Sequence, residues 1–388
     1  MQRVNHERRR LLAAMLVGGT ALCLLPACST TLPRECQPWG DWQDFVATHV
    51  QADGRVVDHA EADARSTSEG QAYAMFFALV ANDRARFDKL FEWSWNNLGG
   101  GGDDWLPAWR WGRDADGGWR ITDPNTASDA DLWMAYSLIE ASRLWNVPDY
   151  LRVGLDLLKA VEKRETAELA GLGPMLLPGE TGFVKADITT LNPSYLPLPL
   201  LRRFALVDPV GPWRVMAEAS LGLIERSSPH GYAPDWIGWD GKQVVTAPGR
   251  SRLGSYDAIR VYTWAGMTDP ADPMFKRGLA ATSGPLTLLR TQGVFAEKID
   301  TASGEVSGRP PVGFSAALLP YLKAQGEASL LKEQQDKLPE PGSEAAGKLP
   351  YYEKTLILFG RSWVEGRWRF AVDGQLYPAW EEKCSKAN

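Results

Sequence analysis

Apolar residues recur at three- and four-residue intervals along most of the 388-residue chain, whereas strict two-residue alternation is rare. The pattern predicts helices beginning near Trp39, Glu69, Arg84, Ala127, Pro148, Pro193, Pro212, Tyr256, Pro270, Pro311, Ala328 and Tyr351. Several open on proline, whose fixed φ and missing N–H suit a first helical turn. Turn-forming residues fill the intervals at 99–104, 114–118, 171–182, 238–241, 304–311 and 338–347. Only residues 367–377 read as a hairpin, turning on Asp373-Gly374. No linker interrupts the chain after about residue 37, and no fixed repeat period marks a solenoid. About a dozen helices in antiparallel pairs predict an all-α ring of hairpins, with inner and outer layers and a groove along one rim.

Three acids fit that ring awkwardly. Glu69 in "TSEGQAYAM", Asp129 in "NTASDADLW" and Asp257 in "GSYDAIRV" each stand at a helix start, ahead of an apolar face. Capping and the helix dipole account for any one of them, and Asp131 is read as such a capping or structural acid. Helix starts on one rim face one cleft, however, where acids distant in sequence can meet. Other chemistries lack their residues. "GSEAAGKL" from Gly342 has Leu349 where a phosphate loop needs Ser or Thr, and His6, His49, His59 and His230 lack zinc spacing. No Gly-x-Ser-x-Gly elbow occurs. Neither metal nor cofactor is expected, and acid–base work falls to carboxyl groups. Glycosidic hydrolysis needs two of them in opposite protonation states.

Composition points the same way. The chain has 17 Trp, 11 Tyr and 12 Phe, and flat aromatic rings stack on the apolar faces of sugars. Trp105, Trp109 and Trp111 in "DWLPAWRWG", with Tyr195, Trp236 and Trp239, are candidate platforms, and Trp109 and Trp111 are the foremost. A net charge of −6 argues against nucleic acid and fits a neutral polymer.

The N-terminus has the pattern of an export signal: Arg3, Arg8, Arg9 and Arg10, then an apolar run over 11–25, with cleavage expected near Ala27. That leaves residues 28–388 as a single catalytic domain in the periplasm or outside the cell. Leu25-Pro26-Ala27-Cys28 resembles a lipobox, so Cys28 is a lipidation candidate and the one expected route to a membrane. Cys36 and Cys384 flank the ring. Its two ends are neighbours if it closes, so a bridge between them is expected in an oxidising compartment, the alternative being two free thiols.

The segment over 127–145, "ASDADLWMAYSLIEASRLW", closely resembles the signature of glycoside hydrolase family 8. "TSEGQAYAMFFALVANDRARFD", "LPAWRWG", "GPMLLPG", "NPSYLPLP", "SYDAIRVYTWAGM" and "PPVGFSAALLP" resemble, in order, the endoglucanase subgroup encoded beside bacterial cellulose synthases. The likeness runs from about Trp39 to Trp380. It implies an (α/α)6 barrel, an inverting mechanism and a β-1,4-glucan substrate. It places Glu69 as proton donor, Asp257 as base and Asp129 as the acid that holds the sugar at the cleavage point. Arg260 and Tyr195 match residues that help hold the attacking water. It also implies a link to cellulose production and contact with the synthase or secretion machinery. Two alternatives remain: the same fold on another β-glycan, which the resemblance leaves open, or a non-catalytic glycan-binding subunit.

Overall fold

Helix α2 (Ser68–Val80) buries every residue except Glu69. A helix apolar all round has no solvent face and belongs inside a larger assembly. Its neighbour α4 (Ser128–Trp145) is likewise buried from Ser128 to Ala141. By contrast, α3 (Arg84–Asn97) buries only Phe87, Leu90, Trp93 and Ser94, and α5 (Pro148–Arg164) buries a single stripe through Leu157, Leu158 and Val161. The first pair forms an inner layer and the second an outer one. The computed structural model describes residues 32–384, apart from 101, 103, 186 and 383. The export segment expected over 1–27 and the lipidation candidate Cys28 lie outside the described residues.

The remaining helices continue this (α/α)6 barrel. Inner α6 (Leu198–Val207) packs on α7 (Trp213–Ser227), and α8 (Ile259–Met267) is followed by α9 (Phe275–Ala281) and α10 (Gly284–Gln292). Next come α11 (Val312–Ala317), α12 (Leu319–Ala324), α13 (Ala328–Gln335) and the single turn α14 (Glu344–Gly347). Inner α15 (Tyr351–Val364) packs on α11 and on α1 (Gly40–His49). Phe359 of α15 marks the ring's centre. It lies 5.1 Å from Tyr73, 5.9 Å from Phe76, 5.3 Å from Trp133 and 5.1 Å from Trp264, so α2, α4, α8 and α15 converge on it. Gly360 beside it allows α15 to touch α11, because a Cβ there would stand 1.8 Å from the Ala316 carbonyl.

Most expected helix starts lie within a residue or two of the observed ones. Pro193 instead opens a single 3-10 turn, Pro193–Tyr195, and α6 begins at Leu198. Pro197 pushes Leu196 out of the helical region and breaks the run. Similarly, Pro273 delays the helix expected at Pro270 until Phe275. Helix α8 starts at Ile259, so Asp257 sits on the turn before it.

The hairpin Trp368–Phe370 with Leu376–Pro378 is present. Four further small sheets were not foreseen. Ser66–Thr67 pairs with Arg110–Arg113, which pairs with Trp119–Asp123, and Ile188–Leu191 pairs with Ile237–Trp239. Leu253–Gly254 pairs with Lys298–Asp300. Strands of two to five residues inside turn-rich loops carry no readable alternation. Three of these sheets run into the segments that bear Glu69, Tyr195 and Asp257, and so brace that rim; the fourth pairs Thr166–Leu169 with Gly173–Leu176. Cys36 and Cys384 are joined, with Cα atoms 5.5 Å apart, and the bond ties the short turn Arg34–Cys36 to the segment after the final helix, α16 (Ala379–Glu382). Among the described residues, no helix is long and apolar enough to cross a membrane.

Candidate active site

Thr67 caps α2 by accepting a hydrogen bond from the Gly70 amide at 3.1 Å. The capping task is thereby filled, and Glu69 turns its carboxylate into the ring. There it meets Arg260, which is 3% exposed. One nitrogen of this guanidinium donates to Glu69 Oε2 at 2.5 Å, to the Tyr73 hydroxyl at 2.9 Å and to Asp129 Oδ2 at 3.2 Å. The other donates to Asp257 Oδ1 at 2.7 Å and Ser194 Oγ at 3.2 Å. The three sequence-predicted acids thus meet at a single cation, with Glu69 and Asp257 on different nitrogens of its planar fork.

Supporting groups hold each acid. Asp129 accepts from the Ala130 amide at 2.8 Å. Asp235 accepts from the amides of Ser255, Asp257 and Ala258, at 2.8, 3.1 and 2.8 Å, and fixes the turn that carries Asp257. Ser194 sits on the turn opened by Asn192, which accepts from its amide at 3.0 Å. Tyr195 lays its ring beside Arg260, 5.7 Å from the guanidinium carbon. Tyr73, Ser194 and Asp235 were not singled out in the sequence. Tyr73 carried a signal, being four residues beyond Glu69 on the same helix face. Asp235 carried none, because it acts on amides twenty or more residues away.

One guanidinium cannot neutralise three neighbouring carboxylates, so Glu69 and Asp129 favour keeping protons. Burial raises Glu69 above the ordinary carboxyl range, Arg260 opposes this, and the charge of Asp257 adds to it. Burial likewise pushes Asp129 up to about 7 against Arg260, with Glu69 contributing. The two differ in reach. The Asp129 side chain is 3% exposed and the Glu69 side chain 23%. A proton donor must touch its acceptor, so geometry favours Glu69 for that task. Asp257 is open as well, at 29%.

The aromatic candidates divide. Trp109 lies at the mouth, its carbonyl accepting from the Ser68 amide at 3.0 Å. Trp111 is half-buried, stacked on Trp119 with centroids 5.0 Å apart, and Arg55 lies 4.4 Å from both rings. Trp119, which sequence reading passed over, holds the open position at 42% exposure. Trp236 is half-buried between Phe183, stacked at 6.2 Å, and Tyr195, edge-on at 6.0 Å. Trp105 and Trp239 are corrected to core residues, at 6% and 2% exposure. Among the described residues, no group of three or more His, Cys, Asp and Glu side chains is placed to hold a metal ion.

A helical ring that opens on opposed carboxyl groups, flanked by aromatic rings, has the architecture of a glycoside hydrolase. The model of glycosyl hydrolases family 8 matches residues 18–366, and the chain belongs to that family. It is 55% identical to an endoglucanase of Xanthomonas axonopodis pv. citri, over 98% of this chain and 99% of that one. An endoglucanase of Salmonella typhi is 44% identical, over 95% and 96%. The crystal structure of an endo-1,4-D-glucanase from Vibrio fischeri superposes with a TM-score of 0.83 at 39% identity, covering 89% of this chain and all of that one.

Proposed function

We propose that the protein is an endo-β-1,4-glucanase that cleaves its polymer with inversion of configuration. The observation that carries this reading is the Arg260 fork, which gathers Glu69, Asp129 and Asp257 at one open rim. Glu69, held protonated by burial, gives its proton to the departing glycosidic oxygen. Asp257, on the other arm of the fork, takes a proton from the water that attacks the opposite face. Asp129 stays deep and holds the ring distorted toward the oxocarbenium-like transition state. Arg260 keeps the three acids in register, and with Tyr195 it borders the place of the attacking water. Trp109, with Trp111 behind Trp119, offers stacking surface to neighbouring glucosyl units. Inverting sites hold their carboxyl groups roughly 6.5–9.5 Å apart, which leaves room for that water.

The likeness to endoglucanases across nearly the whole chain supports β-1,4-glucan as the polymer. The setting proposed is the periplasm or the exterior, after loss of residues 1–27, with Cys28 a lipidation candidate. A Cys36–Cys384 bond suits such an oxidising compartment. A role in cellulose production, beside its synthase or secretion complex, rests on the resemblance of the motif segments. The test is release of reducing ends from carboxymethylcellulose, xylan, chitosan and lichenan, with Glu69→Gln as control. Cleavage of carboxymethylcellulose by the native protein alone is expected. Release from none of the four, or equal release by the variant, refutes the reading.

A further inference from the structure

A second pair of acids lies behind Asp129. Asp131 stands two residues on in the first turns of α4, and Glu165 is the residue that ends α5. Both have 0% exposure. Their carboxyl groups act directly on each other, and Arg164 supplies an opposing charge. That guanidinium is itself engaged, donating to the Glu180 carboxylate at 3.0 Å and to the Asp104 carbonyl at 2.6 Å. Neither oxygen of Asp131 receives a hydrogen bond from a neighbouring N–H, nor does Oε2 of Glu165. Oε1 of Glu165 accepts from the Thr126 hydroxyl, and that hydroxyl accepts from the Glu180 amide at 2.9 Å. The main chain closes the same knot. Leu177 donates to the Glu165 carbonyl at 2.7 Å, and Ser128, the residue before Asp129, donates to the Pro178 carbonyl at 3.1 Å.

Two ionised carboxylates cannot sit side by side out of water without donors. One proton between them converts repulsion into a hydrogen bond, as in other close carboxyl pairs. We propose that Asp131 and Glu165 share a proton as an acid–carboxylate pair, and that this pair positions the first turn of α4 and, through it, Asp129. The inference rests on the reading of Asp129 as the residue that holds the sugar. Asp131 and Glu165 touch no substrate and act only through that turn.

The pair is pH-sensitive. The charged groups facing it are Asp129 from α4, Arg164 from α5 and, through Arg164, Glu180 from the 177–181 loop; Thr126 is neutral. Burial raises Glu165 to about 7 and Asp131 well above the ordinary range. Both folded values lie above the unfolded carboxyl range of roughly 4. The stability they lend is therefore complete below about pH 4 and declines as pH rises through 7.

The test compares Asp131→Asn, Asp131→Ala and Glu165→Gln for kcat and KM on a soluble glucan, and for Tm between pH 5 and pH 8. Asparagine donates its amide to an ionised Glu165, so Asp131→Asn should keep most of kcat and lose less Tm with rising pH than the native protein. Asp131→Ala leaves Glu165 alone and should lower kcat by roughly 10- to 100-fold, the effect of displacing a positioned group, with KM little changed. Glu165→Gln should flatten the Tm–pH slope as Asp131→Asn does. Native kcat in Asp131→Ala, equal damage from Asn and Ala, or an unchanged Tm–pH slope in both amide variants would each overturn the proposal. If Asp131→Ala does not fold, the amide variants decide. Should Asp129→Ala leave kcat intact, the reading of Asp129 falls, while the Tm–pH slope still reports on the pair.

Discussion

Helices α2 and α3 are consecutive, and both have an acid at their start, yet the two acids do different things. Asp83 caps α3. It accepts from the Arg86 amide at 3.3 Å and pairs with the Arg86 guanidinium at 3.0 Å, all within one turn. Glu69 caps nothing, because Thr67 already does so, and its carboxylate reaches Arg260, 191 residues away. The rim repeats this division of labour at α8, where Asp235 braces the turn and Asp257 faces the cleft. An acid at a helix start is free for chemistry when another residue has taken over the backbone. The helix bodies differ accordingly. Helix α3 is amphipathic and its acid stays near solvent, whereas α2 is buried around its whole girth and delivers Glu69 to the ring's interior face.

The largest effect expected from breaking this contrast is that of Glu69→Gln. Loss of the transferable proton should lower kcat by a factor of roughly 10² to 10⁴ while oligosaccharide binding persists. Asp83→Ala, one helix on, should leave kcat unchanged and cost about 1 kcal/mol of stability, the usual effect of losing a cap. Kinetics and thermal melts on the two variants measure both. With the native protein, kcat/KM should fall as pH rises through the raised value of Glu69, since the donor must be protonated. An alkaline limb at the ordinary glutamate value of about 4.3 would contradict the burial argument.

Next in size is Asp129→Ala. Its interactions should strengthen as the sugar distorts, so kcat should fall by more than KM rises. A raised KM with native kcat would make Asp129 an ordinary binding residue. Asp235→Ala should have a smaller effect, on the order of tenfold in kcat, because it loosens Asp257 without removing it. Thr67→Ala should be smallest for activity and should destabilise by about 1 kcal/mol. If it proves as inactive as Glu69→Gln, cap and acid are not separable. Thiol counting on the unfolded protein, expressed from residue 29 onward, checks the remaining long-range link: Cys36 and Cys384 should react only after reduction.

The contrast also marks what the sequence makes legible. Helices α2 and α4 are legible as long, nearly unbroken apolar runs rather than by a polar face, because their burial is nearly complete, and those runs locate both the inner layer and the acids at its rim. Arg260 comes from motif likeness alone, since nothing local marks a buried arginine as the hub of three acids, whereas Tyr195 is legible as one aromatic candidate among several and only the likeness sets it beside the water. The small sheets are illegible because pairs such as Ser66–Thr67 with Arg110–Arg113 hold their register through partners far along the chain. Asp131 looked like one more capping acid, and only its burial against Glu165 separates it from that role. Similarly, Trp111 and Trp119 cannot be told apart by residue type. Which ring faces outward depends on the hairpin that stacks them.

The central claim is that Glu69 and Asp257 act as donor and base on opposite faces of the scissile bond. Proton NMR of the first products released from a β-1,4-glucan oligomer, recorded before mutarotation, tests it most directly. Inversion places the new reducing end first in the α-anomeric form, with the β-form growing in later. A β-anomer appearing first would mean that Asp257 attacks carbon rather than water, and would contradict the account.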